Sequence, residues 1–191
     1  MSLAQRSPAR YGNLELLKWA IEGGCPWDPD TTSEAARRGH LNVLEWVVQK
    51  GCPWYPTTFL VAADQAENME ILQWMRDHQD QIPQMKFNFK EIGISAIQHE
   101  RLPLLAWCVE EGGFPLNEET WKLAAEQKSL NVMKWLWEKN VSWPEKVFDI
   151  AWENKSRNVL EWFFSLVPHL SVGSFGKTIK GIRLRRVRET S

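Results

Sequence analysis

The stretch of this chain that comes nearest to a phosphate-binding loop is Gly173-Ser-Phe-Gly-Lys177-Thr178. Such loops work because backbone N–H groups of a glycine-rich turn wrap the phosphates while a lysine neutralises charge. Here the leading glycine position holds Ser171, a helical pattern rather than a strand precedes it, and thirteen residues remain after Thr178. The context a nucleotide site demands is missing. The four histidines (His40, His78, His99 and His169) are scattered, with no second ligand at helical spacing and no paired cysteines, which argues against a metal site. Cys25, Cys52 and Cys108 are too few and too odd in number for a disulfide framework. Cys25 and Cys52 occupy equivalent sequence positions, which reads as shared packing. No Ser/His/Asp or Cys/His arrangement stands out, so catalytic residues, metals and cofactors are all expected to be absent. Arg186-Val-Arg188-Glu-Thr-Ser191 fits the acceptor pattern of a basophilic kinase.

Whatever chemistry the chain performs must therefore come from its surface, and the elements that build that surface are legible. The chain has 191 residues, 43% apolar and 25% charged, with a net charge of −1. Near-neutrality argues against a whole-chain electrostatic grip on nucleic acid. Arg6, Pro8, Arg10, Asn13 and Glu15 interrupt every apolar stretch near the start, which excludes a secretory leader. No apolar run approaches the roughly 20 residues of a membrane helix. An intracellular setting, cytoplasmic or nuclear, is expected.

Twelve tryptophans against two tyrosines point to recurrence. Trp19, Trp46, Trp74, Trp107, Trp135 and Trp162 follow one another at spacings of 27, 28, 33, 28 and 27 residues. They close the segments LELLKW, LNVLEW, MEILQW, LPLLAW, LNVMKW and RNVLEW. The apolar positions of each segment trace a wide helical arc, and the aligned tryptophans are expected in the core. Six residues before each tryptophan stand Asn13, His40, Asn68, Arg101, Ser129 and Ser156, mostly N-cap types, which sets the helix start. Gly24, Gly51 and Gly113, each followed by a proline, set its end in three units. Upstream lies a shorter helix built around Ala35, Ala63, Ala96, Ala124 or Ala151, with Thr31, Thr57 and Thr120 as its candidate caps. Gly12 and Gly39 close that helix in the first two units, and Glu67, Glu100, Lys128 and Lys155 take their place later. Each unit is a helix–turn–helix hairpin that cannot bury its apolar faces alone, and stacking solves the problem.

The second unit, TTSEAARRGHLNVLEWVVQKGCPW, resembles an ankyrin repeat at Ala35-Ala36, Gly39-His40-Leu41 and Gly51. The short, Trp-rich GCPW variety is similar to repeats of protists and large DNA viruses. The resemblance covers residues 8–168, with a partial first unit and a degenerate last one. It departs from the family at the usual T-P-L-H opening, replaced by Asp30-Thr31-Thr32-Ser33, and at the tryptophan that stands for leucine. Most units are also shorter than the roughly 33-residue family period. The resemblance implies an all-α, ankyrin-like solenoid of about six stacked helix-turn-helix repeats with reduced hairpin fingers. Only the connection 79–90 keeps full length, and its alternation of Met85, Phe87 and Phe89 with Lys86, Asn88 and Lys90 suits a projecting β-finger. Leu3, Leu14 and Leu17 are expected to be under-covered at the front of the stack, either as a poor cap or as part of a longer array.

By the same resemblance, partners bind the finger tips and the concave face of the first helices. On this chain that face maps to Arg37, Arg38, Gln65, Gln98, His99, Glu126, Gln127 and Glu153, and the finger adds Phe87. Charge along it passes from basic through neutral to acidic, an order that can orient an extended protein partner. Trp27, Trp54 and Trp143 at the inter-unit turns read either as packing or as exposed hot spots. The expected function is a monomeric, non-catalytic scaffold or adaptor. Residues 169–191 form a separate basic tail: Lys177, Lys180, Arg183, Arg185, Arg186 and Arg188 give it a net charge of +5, against −6 for residues 1–168. The alternative function is binding of nucleic acid or an anionic membrane through that tail, with the solenoid as carrier.

Overall fold

A computed structural model describes residues 8–64, 69–82, 87–142, 144 and 146–166. The chain is all-helical, and no strand occurs among the described residues. After helical residues 8–10 come α1 (Leu14–Glu22), α2 (Pro29–Arg38), α3 (Leu41–Gln49), α4 (Thr58–Asp64) and α5 (Met69–Asp77). A 3₁₀ turn at Gln79–Gln81 precedes α6 (Phe89–Gln98), α7 (Leu102–Gly112), α8 (Glu118–Glu126), α9 (Leu130–Glu138), α10 (Val147–Glu153) and α11 (Arg157–Leu166). Helices pair into hairpins: 8–10 with α1, then α2/α3, α4/α5, α6/α7, α8/α9 and α10/α11. The principal helix contacts join the two members of a hairpin and the shorter helices of consecutive hairpins, α2 on α4, α4 on α6, α6 on α8 and α8 on α10.

The shared alanine allows that approach. Ala35, Ala63, Ala96, Ala124 and Ala151 are all fully buried. In the longer helices the buried columns lie three and two residues before the aligned tryptophan and one after it. In α3 these are Val43, Leu44 and Val47, and in α9 Val132, Met133 and Leu136. Spaced i, i+1 and i+4, these positions share one helix face.

The turn inside a hairpin is built the same way five times. One or two residues past the end of the shorter helix the chain takes a left-handed φ, at Gly12, Gly39, Glu100, Lys128 and Lys155. The next residue's N–H then reaches back to the helix, as in His40 to Ala35 O at 3.0 Å and Ser129 to Ala124 O at 2.9 Å. Arg101 to Ala96 O and Ser156 to Ala151 O repeat it. Left-handed φ also ends α1, α3 and α7 after their last turns, at Gly24, Gly51 and Gly113, and Asn140 does the same after α9 without glycine.

Five expectations need correction. Of the aligned tryptophans only Trp107 is buried; Trp46, Trp74, Trp135 and Trp162 are half-buried and Trp19 is exposed. The tryptophan column sits at the edge of the buried arc, and there Trp46 and Trp107 cover the segment that leads into their hairpin. Among the described residues six before the tryptophan, only Asn13 caps through its side chain, accepting from Leu16 N–H at 2.9 Å. His40, Arg101 and Ser129 make no such cap and bridge to the preceding hairpin instead. His40 Nε2 lies 2.9 Å from Arg10 O, Ser129 Oγ donates to Ile97 O at 3.0 Å, and the Arg101 guanidinium donates to Ala63 O and Asp64 O.

Asp28, Asn88 and Asn117 cap α2, α6 and α8, so Thr31 caps nothing and Thr120 only completes a capping box with Asn117, while Thr57 stands directly before α4. Finally, the segment expected to project as a β-finger contains a 3₁₀ turn, and its far end packs inward. Phe87 lies tilted against Phe59 (5.6 Å between centroids) and edge-to-face with Phe89 (5.1 Å) and Trp107 (6.1 Å). A Cβ on Gly112 would run into the Phe89 ring, so close approach accounts for glycine there. Leu17, expected to be under-covered, is fully buried, Leu14 is half-buried, and Leu3 lies outside the described residues.

Candidate functional site

The shorter helices leave one side open, and their register decides what it displays. Two residues past the shared alanine stand Arg37, Gln98, Glu126 and Glu153; Arg37 is half-buried and the other three are exposed. Arg38, His99 and Gln127 follow one residue on, all exposed. Gln65 lies outside the described residues. One helical turn earlier come Ser33, Val61, Ile94, Lys122 and Asp149, which extend the same stripe. The middle of the stripe is apolar at half-buried Val61 and Ile94, the latter packed against the core. Sequence reasoning passed over Lys122 and Asp149, though each stands four residues before an acidic position already singled out.

The basic end is partly engaged. Arg37 Nε lies 3.5 Å from Glu34 Oε1, an i,i+3 ion pair at the surface, while Arg38 is exposed beside it. At the acidic end a cleft of about 760 Å³ opens between α8 and α10. Glu118, Glu119, Asp149 and Glu153 line it together with Lys122 and Lys146, over Val147 and Ile150. Four carboxylates against two ammonium groups give the cleft a negative balance, and an apolar floor suits the aliphatic stem of a lysine or arginine.

Midway along the face the structure brings Asp64, Ser95 and His99 together. Ser95 Oγ donates to Asp64 Oδ1 at 2.7 Å, and His99 Nδ1 lies 3.0 Å from the carbonyl of Ser95 and 4.0 Å from Asp64 Oδ1. A ring nitrogen facing a carbonyl must carry the proton, so Nδ1 does not serve as a base toward Ser95 Oγ. The serine is nearly buried and its proton is committed to the carboxylate. The cluster ties α6 to α4 and sets the edge from which His99 projects.

The thiols are unpaired. Burial first, then the Asp28 charge, pushes Cys52 up to about 12, and burial pushes Cys108 to about 12. Neither is a thiolate near neutrality, which removes the nucleophilic form. Cys25 is half-buried, so the equivalence with Cys52 holds for position and not for depth. Among the described residues no group of three His, Cys, Asp or Glu side chains is placed to hold a metal. None of their helices is long and apolar enough to cross a membrane.

The turn tryptophans pack. Trp54 is buried, and Trp27 lies 5.7 Å from Trp46, the aligned tryptophan of the following hairpin. Trp143 lies outside the described residues. Phe87, grouped by sequence with the partner-binding positions, is half-buried in the aromatic cluster around Trp107. The whole basic tail, Lys177, Lys180, Arg183, Arg185, Arg186 and Arg188, lies outside the described residues, as does the glycine-rich stretch before it. No known protein-family model matches the chain, and no curated protein sequence matches it either.

Proposed function

We propose that the chain is an ankyrin-like solenoid that works as a non-catalytic, intracellular protein-binding scaffold, with the open face of the shorter helices as its contact surface. The observation that carries this reading is the order along that face. Exposed Arg38 lies at one end, Val61 and Ile94 in the middle, and the acidic cleft between α8 and α10 at the other. An extended segment acidic at one end and basic at the other fits that order in a single direction. Charge complementarity of this kind sets register and speeds encounter more than it adds affinity. Fold alone names no function, so the reading rests on this face and not on the stack.

Charge reversal tests it. Bead-coupled chain, wild type or carrying Arg38→Glu or the pair Asp149→Lys/Glu153→Lys, is incubated with lysate and washed at low and high salt. Each variant is expected to lose the same captured proteins while keeping its helical circular dichroism. A captured set unchanged by both variants refutes the face as the site.

A further inference from the structure

The two ends of the stack expose large apolar side chains at positions that interior hairpins cover more deeply, and they do so from opposite sides. Three residues before the aligned tryptophan, Val43, Ile71, Leu104, Val132 and Val159 are 0–2% exposed, whereas Leu16 in the first hairpin is 45% exposed. Trp19 beside it is 71% exposed, where Trp46, Trp74 and Trp135 are half-buried and Trp107 is buried. This side of a hairpin receives what comes before it: Trp27 packs on Trp46, and Phe87 and Phe89 pack on Trp107.

At the far end the pattern inverts. One residue after the shared alanine, Ala36, Ile97 and Ala125 are 0–1% exposed and Asp64 is half-buried, while Trp152 in α10 is 50% exposed. Two residues before the aligned tryptophan, Leu17, Leu44, Leu72, Leu105 and Met133 are fully buried, yet Leu160 in α11 is only half-buried. This side of a hairpin receives what comes after it.

We infer that the front face (Leu16, Trp19) docks against the back face (Trp152, Leu160) of a second copy of this chain, head to tail. The occupant follows from continuity with the interface inside the chain. Each hairpin already presents a back face to the front face of the next, so one copy carries both halves of the same contact. Apolar side chains this large, gathered at one end, mark an interaction surface more often than idle exposure. A contact between two different faces is heterologous: it leaves one front and one back free and lengthens the open face of the shorter helices. This inference stands independently of the binding reading above.

Sedimentation equilibrium on the full chain tests it. Weight-average mass should rise above the 22.3 kDa of one chain as concentration increases into the hundred-micromolar range. Trp19→Glu and Trp152→Glu, both at exposed positions, should each hold the chain at monomer mass with unchanged circular dichroism. Mixed one to one, the two variants should recover a complex that stops at two chains, because one intact front meets one intact back. That recovery also shows that neither variant has merely misfolded. A monomer at every concentration overturns the inference. So does association that Trp152→Glu leaves untouched, which would mean front-to-front pairing.

Discussion

Replacing Glu100, Lys128 and Lys155 together by glycine should stabilise the fold. All three hold left-handed φ, at 54°, 59° and 51°, in the register where the first two hairpins place Gly12 and Gly39. An L-residue in that region carries a strain of about 1–2 kcal/mol. Glycine returns about 0.5–1 kcal/mol of that through the extra freedom it gives the unfolded chain. The net gain is about 0.5–1 kcal/mol per site. Lys128 and Lys155 are exposed, so their side chains should cost little to remove. Glu100 Oε2 accepts from Asn131 Nδ2 at 3.3 Å, a surface bond whose loss trims the gain there. The sites lie in different hairpins and share no partner, so their effects should add to about 2 kcal/mol. For a chain of this length that corresponds to a rise in Tm of about 4–8 °C. Thermal and urea unfolding followed by circular dichroism read it directly. Gly39→Ala is the opposite control and should lower stability by about 1 kcal/mol. A triple variant that melts at or below the parent, with Gly39→Ala neutral, would refute the reasoning.

Two further outcomes follow from the buried polar groups. Ser129→Ala removes the donor to Ile97 O at a site 1% exposed and should cost about 1 kcal/mol, seen as a lower urea midpoint at unchanged slope. The thiols of Cys52 and Cys108 ionise higher in the folded chain, near 12, than the ordinary value of 9.0. Their contribution to stability is therefore complete below about pH 9 and lost as pH rises toward 12. Urea midpoints measured across that range should fall, and Cys108→Ala should flatten the fall; an unchanged slope would contradict the burial of that thiol.

What the sequence made legible was whatever is local. The shared alanine, the glycine stops and the places where Glu100, Lys128 and Lys155 replace glycine are set by the helix itself, and each appears in the structure at its expected residue. What it hid is tertiary. His40, Arg101 and Ser129 occupy a cap position but turn toward carbonyls of the preceding hairpin, because that hairpin offers acceptors within reach. The alternation in 87–90 has the period of a strand, yet Asn88 caps α6 and Phe87 and Phe89 fill a junction around Trp107. The tryptophans misled for a related reason. A large ring recurring in register lies at the rim of the core, where Trp46 and Trp107 meet the connecting segments at Trp27 and at Phe87 and Phe89. On the open face of the shorter helices, Glu126 and Glu153 were visible singly. The cleft that joins Glu153 to Glu119 and Asp149 exists only once α8 and α10 lie side by side.

The central claim is that the open face of the shorter helices is where a protein partner binds. A photo-crosslinking residue placed in turn at 38, 98, 126 and 153 samples that face, and at 45, 73 and 110 it samples exposed positions on the longer helices. Illumination in lysate should yield the same crosslinked partner from the first set and none from the second. Crosslinks confined to positions 45, 73 and 110, or the absence of any crosslink from the first set, would contradict the claim.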